Sequence, residues 1–216
     1  MFAGARLAAV IFSDRAEAGR KLGEALGPRP DSLILGIPRG GVIIAREAAA
    51  ITGGDLGVIV PRKLGAPMNP ELGIGAVAAD GTTVLDERLV RALGVSEQYI
   101  AKEVARQVEE IHRRLEMYHR GRAPLEVGGR ACVIVDDGVA TGGTAEVALR
   151  SCKAQGAGKV TLAVPVAPGE SLGRLEAACD EVVCLETPSP FAAVGQWYAS
   201  FPQVSDEEVL EALGVN

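Results

Sequence analysis

The chain has 216 residues, 48% of them hydrophobic, with a formal net charge of -6, which suits one α/β domain with a small appended subdomain. The acidic balance excludes a general attraction to nucleic acid or to an anionic membrane, so any affinity for phosphate has to be local. The apolar stretches are strand-sized, and the opening MFAGARLAAVIFSD is too short and soon too polar for a membrane span or a secretory signal, which makes the cytoplasm the expected location.

In chain order, Ser13 to Leu26 reads as an amphipathic helix, with Ala16, Leu22 and Leu26 on one side and Arg15, Glu17, Arg20 and Glu24 largely on another. After a Pro/Gly turn, Ser32 to Ile37 forms a buried strand, PRGG follows at Pro38, Arg39, Gly40 and Gly41, and Val42 to Ile51 resumes as an apolar helix. Leu56 to Val60 is the next strand. From Pro61 the chain is dense in proline and glycine and reads as a mobile loop, Met68 to Glu71 included. It then alternates into a β-hairpin turning at Asp80 and Gly81, with Thr82 to Leu85 as strand. GIGAVA, entered from Gly73, satisfies GxGxxA but lacks the preceding buried strand and following helix of a dinucleotide fingerprint, and we reject it.

Ser96 caps a long helix reaching about Arg120, whose stripe runs Ile100, Val104, Val108, Ile111, Leu115, Tyr118 and whose other faces carry Lys102, Glu103, Arg106, Glu110, Arg113 and Arg114. Packing on its own chain is the plain expectation for this helix; shaping a hood or a homodimer contact are the other uses weighed. His112 and His119, with Glu109 and Glu116, suggest a metal face, but one charged helix face lacks the partner ligands such a site needs. Val160 to Val166 and Val182 to Leu185 are further strands, and Ser205 to Leu213 a terminal helix capped by SDEE. Phe191, Trp197, Tyr198 and Phe201 gather most of the scarce aromatic content, either closing a small core or offering a stacking surface. Cys132, Cys152, Cys179 and Cys184 show no CxxC or zinc spacing and read as buried reduced thiols. Strands alternating with helices imply an α/β fold with a mostly parallel sheet flanked by helices. Ligands then gather beyond the carboxyl ends of the strands, where strand order reverses.

The most informative stretch is VIVDDGVATGGTA, Val133 to Ala145. A β-branched run suited to a strand buried on both faces ends at two adjacent carboxylates, Asp136 and Asp137. Beyond them Gly138, Gly142 and Gly143 allow a tight turn, Thr141 and Thr144 offer hydroxyl donors, and a helix opens with free N–H groups. An anion suits the turn; the carboxylates suit sugar hydroxyls or a magnesium hydration shell. A glycine-rich turn without a ligand is the bland alternative, and it leaves two carboxylates at a buried strand end without a purpose.

This segment resembles the phosphoribosyl pyrophosphate (PRPP) motif of the type I phosphoribosyltransferases, and its DDxxATGGT core is especially similar to the adenine-specific members. Gly138 stands where most members carry an aliphatic residue. The resemblance covers about Leu33 to Val166 and implies magnesium-dependent transfer of a 5-phosphoribosyl group from PRPP to a nitrogenous acceptor, with release of diphosphate. It implies Mg2+ as cofactor, PRPP, diphosphate and a nucleobase-type acceptor as partners, and a small hood that binds the base. Asp136 and Asp137 are then expected at the ribose hydroxyls, directly or through magnesium, and Gly138, Val139, Ala140, Thr141, Gly142, Gly143 and Thr144 around the 5-phosphate. By the same resemblance Pro38, Arg39, Gly40 and Gly41 form the diphosphate loop, with a strained peptide at Arg39–Gly40, and Arg62 and Lys63 sit on a loop that closes over PRPP. The expected layout is one α/β domain over 1–216: a core of about 30–170, a helical insert of about 88–120, and a hood from about 186–216 with an N-terminal contribution. A non-catalytic PRPP or nucleotide sensor with the same fold is the rival; a P-loop phosphohydrolase fails because no GKS or GKT follows the glycines.

Overall fold

Asp14 opens the first helix, α1 (Arg15–Leu26), by accepting the Glu17 N–H at 2.8 Å; this is a computed structural model, and it describes residues 12–215. The buried strand β1 (Leu33–Gly36), the helix α2 (Gly40–Thr52) and the strand β2 (Asp55–Val58) follow. Three antiparallel strands come next, β3 (Arg62–Ala66), β4 (Asn69–Val77) and β5 (Thr83–Leu85), then α3 (Glu87–Ala92) and the long α4 (Glu97–His119). The remainder alternates: β6 (Ala131–Val135), α5 (Gly143–Ala154), β7 (Lys159–Val166), α6 (Gly169–Leu175), β8 (Glu181–Glu186) and, after the aromatic stretch, α7 (Asp206–Ala212).

The five-stranded sheet is parallel throughout, in the order β2-β1-β6-β7-β8. From β1 the chain moves to one edge, returns as β6 on the other side of β1, and continues through β7 to β8. Strand order therefore reverses between β1 and β6, and the loops leaving these two strands form the crevice where such sheets take their ligands. Sequence pattern explains the sheet's position: β1 and most of β6 and β7 are buried, as strands covered by helices on both faces must be. One face packs Leu33, Leu35 and Ile134 against Ala148, Leu149 and Cys152 of α5. The other packs Ile34, Val133 and Ala163 against Leu22 of α1, Ile44 and Ala48 of α2, and Trp197 and Tyr198 of the tail. A third apolar cluster joins Leu64 and Ile74 of the small sheet to Ile111 and Tyr118 of α4 and to Val209 and Leu210 of α7. Val147 of α5 meets Ala76 and Ala78, so α5 lies between the two sheets.

Three expectations are corrected. The stretch after Pro61 is not a loop: β3 and β4 pair as a hairpin whose turn lies at Pro67 and Met68, whereas the sequence pattern indicates only the Asp80–Gly81 turn. Proline and glycine density reads as loop, but on a hairpin with an exposed tip these residues are tolerated, with register shifts at Leu64/Gly65 and Gly65/Ala66 absorbing them. On α1 the buried stripe is Arg15, Ala18, Gly19, Leu22, Gly23 and Leu26, whereas Ala16 is half-buried. On α4, Glu103 is buried, not solvated. It accepts from Arg106 at 2.7 and 2.9 Å and from Gln107 at 2.8 Å, bonds that hold its carboxyl below the usual range despite burial.

Candidate active site

The loops after β1 and β6 meet. Ile37 N–H donates to Val135 O at 2.8 Å and Val139 N–H to Val166 O at 3.0 Å, which fastens both loops to the strand ends. Across this join the diphosphate-loop candidate and the acid pair are in contact. A Cβ on Gly40 would collide with the Asp137 carboxylate, and one on Gly41 would lie 2.7 Å from Val135 O and 2.9 Å from Asp136 Cα. Glycine is required here because the loop backbone lies directly on the acids. The Pro38–Arg39 peptide bond is cis, one bond before the Arg39–Gly40 bond that the resemblance suggested. Arg39, half-buried, has no ion-pair partner among the described residues, and α2 begins immediately after it at Gly40.

Asp136 and Asp137 are part-buried at the sheet's carboxyl end. Asp136 Oδ1 accepts the Asp137 N–H at 2.9 Å. Burial pushes the Asp136 carboxyl well above its ordinary range, and the neighbouring Asp137 charge adds to the rise. Burial also raises Asp137, but Arg15 opposes it. The Arg15 guanidinium reaches Asp137 Oδ2 through Nε and Nη2, both at 2.9 Å, so Asp137 is the member of the pair that holds the charge. Arg15 also donates through Nη1 to Pro202 O at 2.8 Å and lies 3.7 Å from the centroid of the Phe201 ring. Tyr198 donates to the Asp137 backbone carbonyl at 2.6 Å. The tail thus wraps the acid pair from one side.

Sequence does not single out Arg15 as a site residue, and it offers Tyr198 only among the aromatics that close a small core or form a stacking surface. The signal for Arg15 was its place three and seven residues before Ala18 and Leu22, on the apolar stripe where an unpaired guanidinium is unwelcome. Gly138 also finds its reason in the tail: a Cβ there would lie 2.5 Å from Val194 Cγ1 and 3.0 Å from Val166 Cγ1. The space an aliphatic side chain would need is filled by Val194.

Past Gly138 and Val139, both buried, the chain exposes Ala140 and Thr141 and turns at Gly142, whose φ of 82° is the left-handed conformation glycine adopts without strain. Gly142 is the N-cap of α5 and makes no side-chain cap, so the amides of Gly143, Thr144 and Ala145 open the helix uncapped. Thr141 and Thr144 have no hydrogen-bond partner for their hydroxyls among the described residues, while Ser171 of α6 braces the loop by donating to Ala140 O at 2.6 Å. Uncapped amides, a helix dipole and two hydroxyls make an anion cradle beside the acid pair.

Arg62 and Lys63 part company. As neighbours on β3 they point to opposite faces. Arg62 donates through Nε to Gln107 Oε1 at 2.9 Å, on the α4 side. Lys63 is exposed and pairs across the ladder with Ala76, whose side faces α5. A cavity of about 640 Å³ lies elsewhere, walled by β2, the end of α4 and the 121–127 connection, with His112, Glu116 and His119 in its lining and no residue of the acid pair or of either loop. Among the described residues no group of three or more His, Cys, Asp or Glu is placed to hold a metal, and no helix is long and apolar enough to cross a membrane.

This arrangement can hold a sugar between paired acids, an anion on a helix N-terminus and a second anion against a glycine-lined loop that carries Arg39. Comparison with known proteins gives the family. The family model described as "Phosphoribosyl transferase domain" matches residues 13–199. In each of two strains of Mycobacterium tuberculosis a protein named "Putative phosphoribosyl transferase" is 44% identical over 205 residues, which is 94% of this chain and 46% of the relative. The chain therefore spans about half the length of the curated relatives it matches. The crystal structure of TT1426 from Thermus thermophilus superposes with a TM-score of 0.79 at 44% identity, covering 94% of this chain and 97% of that one. By motif, by strand order and by these matches, the chain belongs to the phosphoribosyl transferase domain family.

Proposed function

We propose that the protein transfers a 5-phosphoribosyl group from PRPP to the nitrogen of a nucleobase-type acceptor. The anomeric C–O bond breaks and its electron pair leaves with diphosphate, a C–N bond forms, and the acceptor nitrogen releases its proton to solvent. The observation that carries this reading is the contact between the PRGG loop and the acid pair at the switch point, with the uncapped start of α5 beside them. The ribose hydroxyls meet Asp136 and the Asp137 oxygen that Arg15 leaves free, and the negative field there favours positive charge developing on the sugar. The Ala140 to Thr144 turn anchors the 5-phosphate. Arg39 and the amides of Gly40 and Gly41, with Pro38 shaping the turn, receive the diphosphate. Lys63, on the α5 side of β3, is the second base for it, and Arg62, tied to Gln107, holds β3 to α4. A magnesium ion suits this donor set, since it takes most of its ligands from substrate oxygens and water with one or two carboxylates, and when bound it neutralises charge on the diphosphate.

The hood is drawn from both parts of the chain that flank the core of about 30–170. Phe12 bridges to Tyr198, and the Tyr198 and Phe201 rings lie 4.8 Å apart; Phe12 and Tyr198 are buried, so these contacts support a hood in the 186–216 segment with an N-terminal contribution and leave the half-buried Phe191 and Phe201 as the aromatics open to a base. The insert of about 88–120 supports the small sheet from behind. A screen for PRPP-dependent diphosphate release across purine and pyrimidine bases, with and without magnesium, tests the reading. Release with at least one base, lost on chelation, is expected. PRPP binding without release for any acceptor would replace it with a sensor.

A further inference from the structure

We infer that Arg15 is a positioning residue that couples the hood to the ribose-holding acid, acting through Asp137. This rests on the phosphoribosyl-transfer reading and adds a residue to it. Arg15 stands at the first position of α1, on a helix whose next buried residues are small or aliphatic, so its burial is not a by-product of a polar helix face. Its side chain is 10% exposed and spends every donor direction the structure records on two elements. Nε and Nη2 fork onto a single oxygen, Oδ2 of Asp137, and Nη1 donates to Pro202 O, while the guanidinium plane lies over Phe201. A fork onto one oxygen fixes the rotation of the carboxylate and leaves the other oxygen free. The same guanidinium is fixed in turn by the hood's backbone and ring, so displacing the 198–202 segment displaces the Asp137 carboxylate. Gly40 closes the arrangement from the other side, because its Cα face lies against the same Oδ2.

A role in packing alone and a role in positioning predict different results in a double-mutant cycle read as PRPP affinity. The variants are Arg15→Gln, Asp137→Asn and the pair together, assayed by titration calorimetry with PRPP and magnesium, with unfolding measured alongside. Positioning through Asp137 predicts a loss of about 10- to 100-fold in PRPP affinity for each single variant, the range of a charge-assisted hydrogen bond. The double variant should then fall no further than Asp137→Asn alone. Arg15→Lys, which keeps the charge but not the fork, should lose affinity by a smaller factor, and Phe201→Leu, which loosens the guanidinium without touching the ion pair, should do likewise. Should Arg15→Gln fail to fold, these last two variants carry the test. Additive losses in the cycle, or wild-type PRPP affinity in folded Arg15→Lys and Phe201→Leu, would overturn the inference. Failure of wild-type protein to bind PRPP at all would instead overturn the functional reading, so the two outcomes are separable.

Discussion

At the scale of single residues the site depends on close approach as much as on charge. Gly40 has no room for a methyl group, because its Cα lies on the Asp137 carboxylate and beside Arg15 Nε. Gly40→Ala should therefore push the PRGG loop off the acid pair. Misplacing reacting groups by about 1 Å costs on the order of 100-fold in rate, and we expect kcat/KM for PRPP to fall by about that factor in steady-state assays, with the protein still folded. A wild-type value would show that the two loops need not touch. The acids themselves were legible in the sequence because two adjacent carboxylates after an apolar run have few structural uses. Arg15 was not, because its partner lies 122 positions away and only the fold brings them together.

At the scale of elements, α4 and β3 are joined by a chain of polar groups, of which sequence periodicity puts Glu103 and Arg106 on the polar faces of α4. Arg62 donates to Gln107, Gln107 to Glu103, and Glu103 accepts from Arg106. Burial lowers the Arg62 pKa, so this guanidinium is costly to leave without an acceptor. Gln107→Leu removes that acceptor, and a loss of about 1–3 kcal/mol is expected in urea unfolding. The pair Arg62→Met with Gln107→Leu should recover most of it, since replacing both partners with apolar groups removes the orphan. No recovery would mean that Arg62 serves another partner. The parallel strands and their helices were readable because a run buried on both faces leaves one interpretation, and α4 because Ser96 caps it and its stripe is continuous. The β3–β4 hairpin was not, because Gly65, Pro70 and Gly73 carry a local loop signal that tertiary pairing overrides. Glu103 is hidden for a related reason: a helix face wide enough to meet both the small sheet and α7 buries polar positions beside the apolar stripe, and spacing alone does not reveal how wide the covered face is.

At the scale of the whole molecule the chemistry and the acid-labile anchoring sit at opposite ends of the strands. The groups proposed to bind PRPP follow the carboxyl ends of β1 and β6, whereas Glu181, at the start of β8, ties the amino ends together. It accepts from Arg29 at 3.0 and 3.1 Å, from Lys159 at 2.8 Å and from Thr161 at 3.1 Å, and Arg29 in turn donates to Leu26 O at the end of α1. Bonds to Arg29 first, then Lys159, lower the Glu181 pKa from 4.5 to about 2. A carboxylate whose pKa is lower in the folded than in the unfolded state contributes stability that is complete above the unfolded value. That contribution is lost as pH falls through the window from 4.5 to about 2. Because the group is partly open to solvent, the contribution is on the order of 1 kcal/mol. Urea midpoints measured at pH 6 and at pH 3 should therefore converge in Glu181→Gln relative to the wild-type protein, with the variant less stable at pH 6 and the difference shrinking at pH 3. Parallel loss in both proteins would place the acid sensitivity in other carboxylates. PRPP affinity at pH 7 should be the same in the two proteins, because nothing in the Glu181 cluster reaches the loops after β1 and β6. A change there would mean that the sheet transmits strain along its full length, from the end that anchors it to the crevice proposed to bind the sugar.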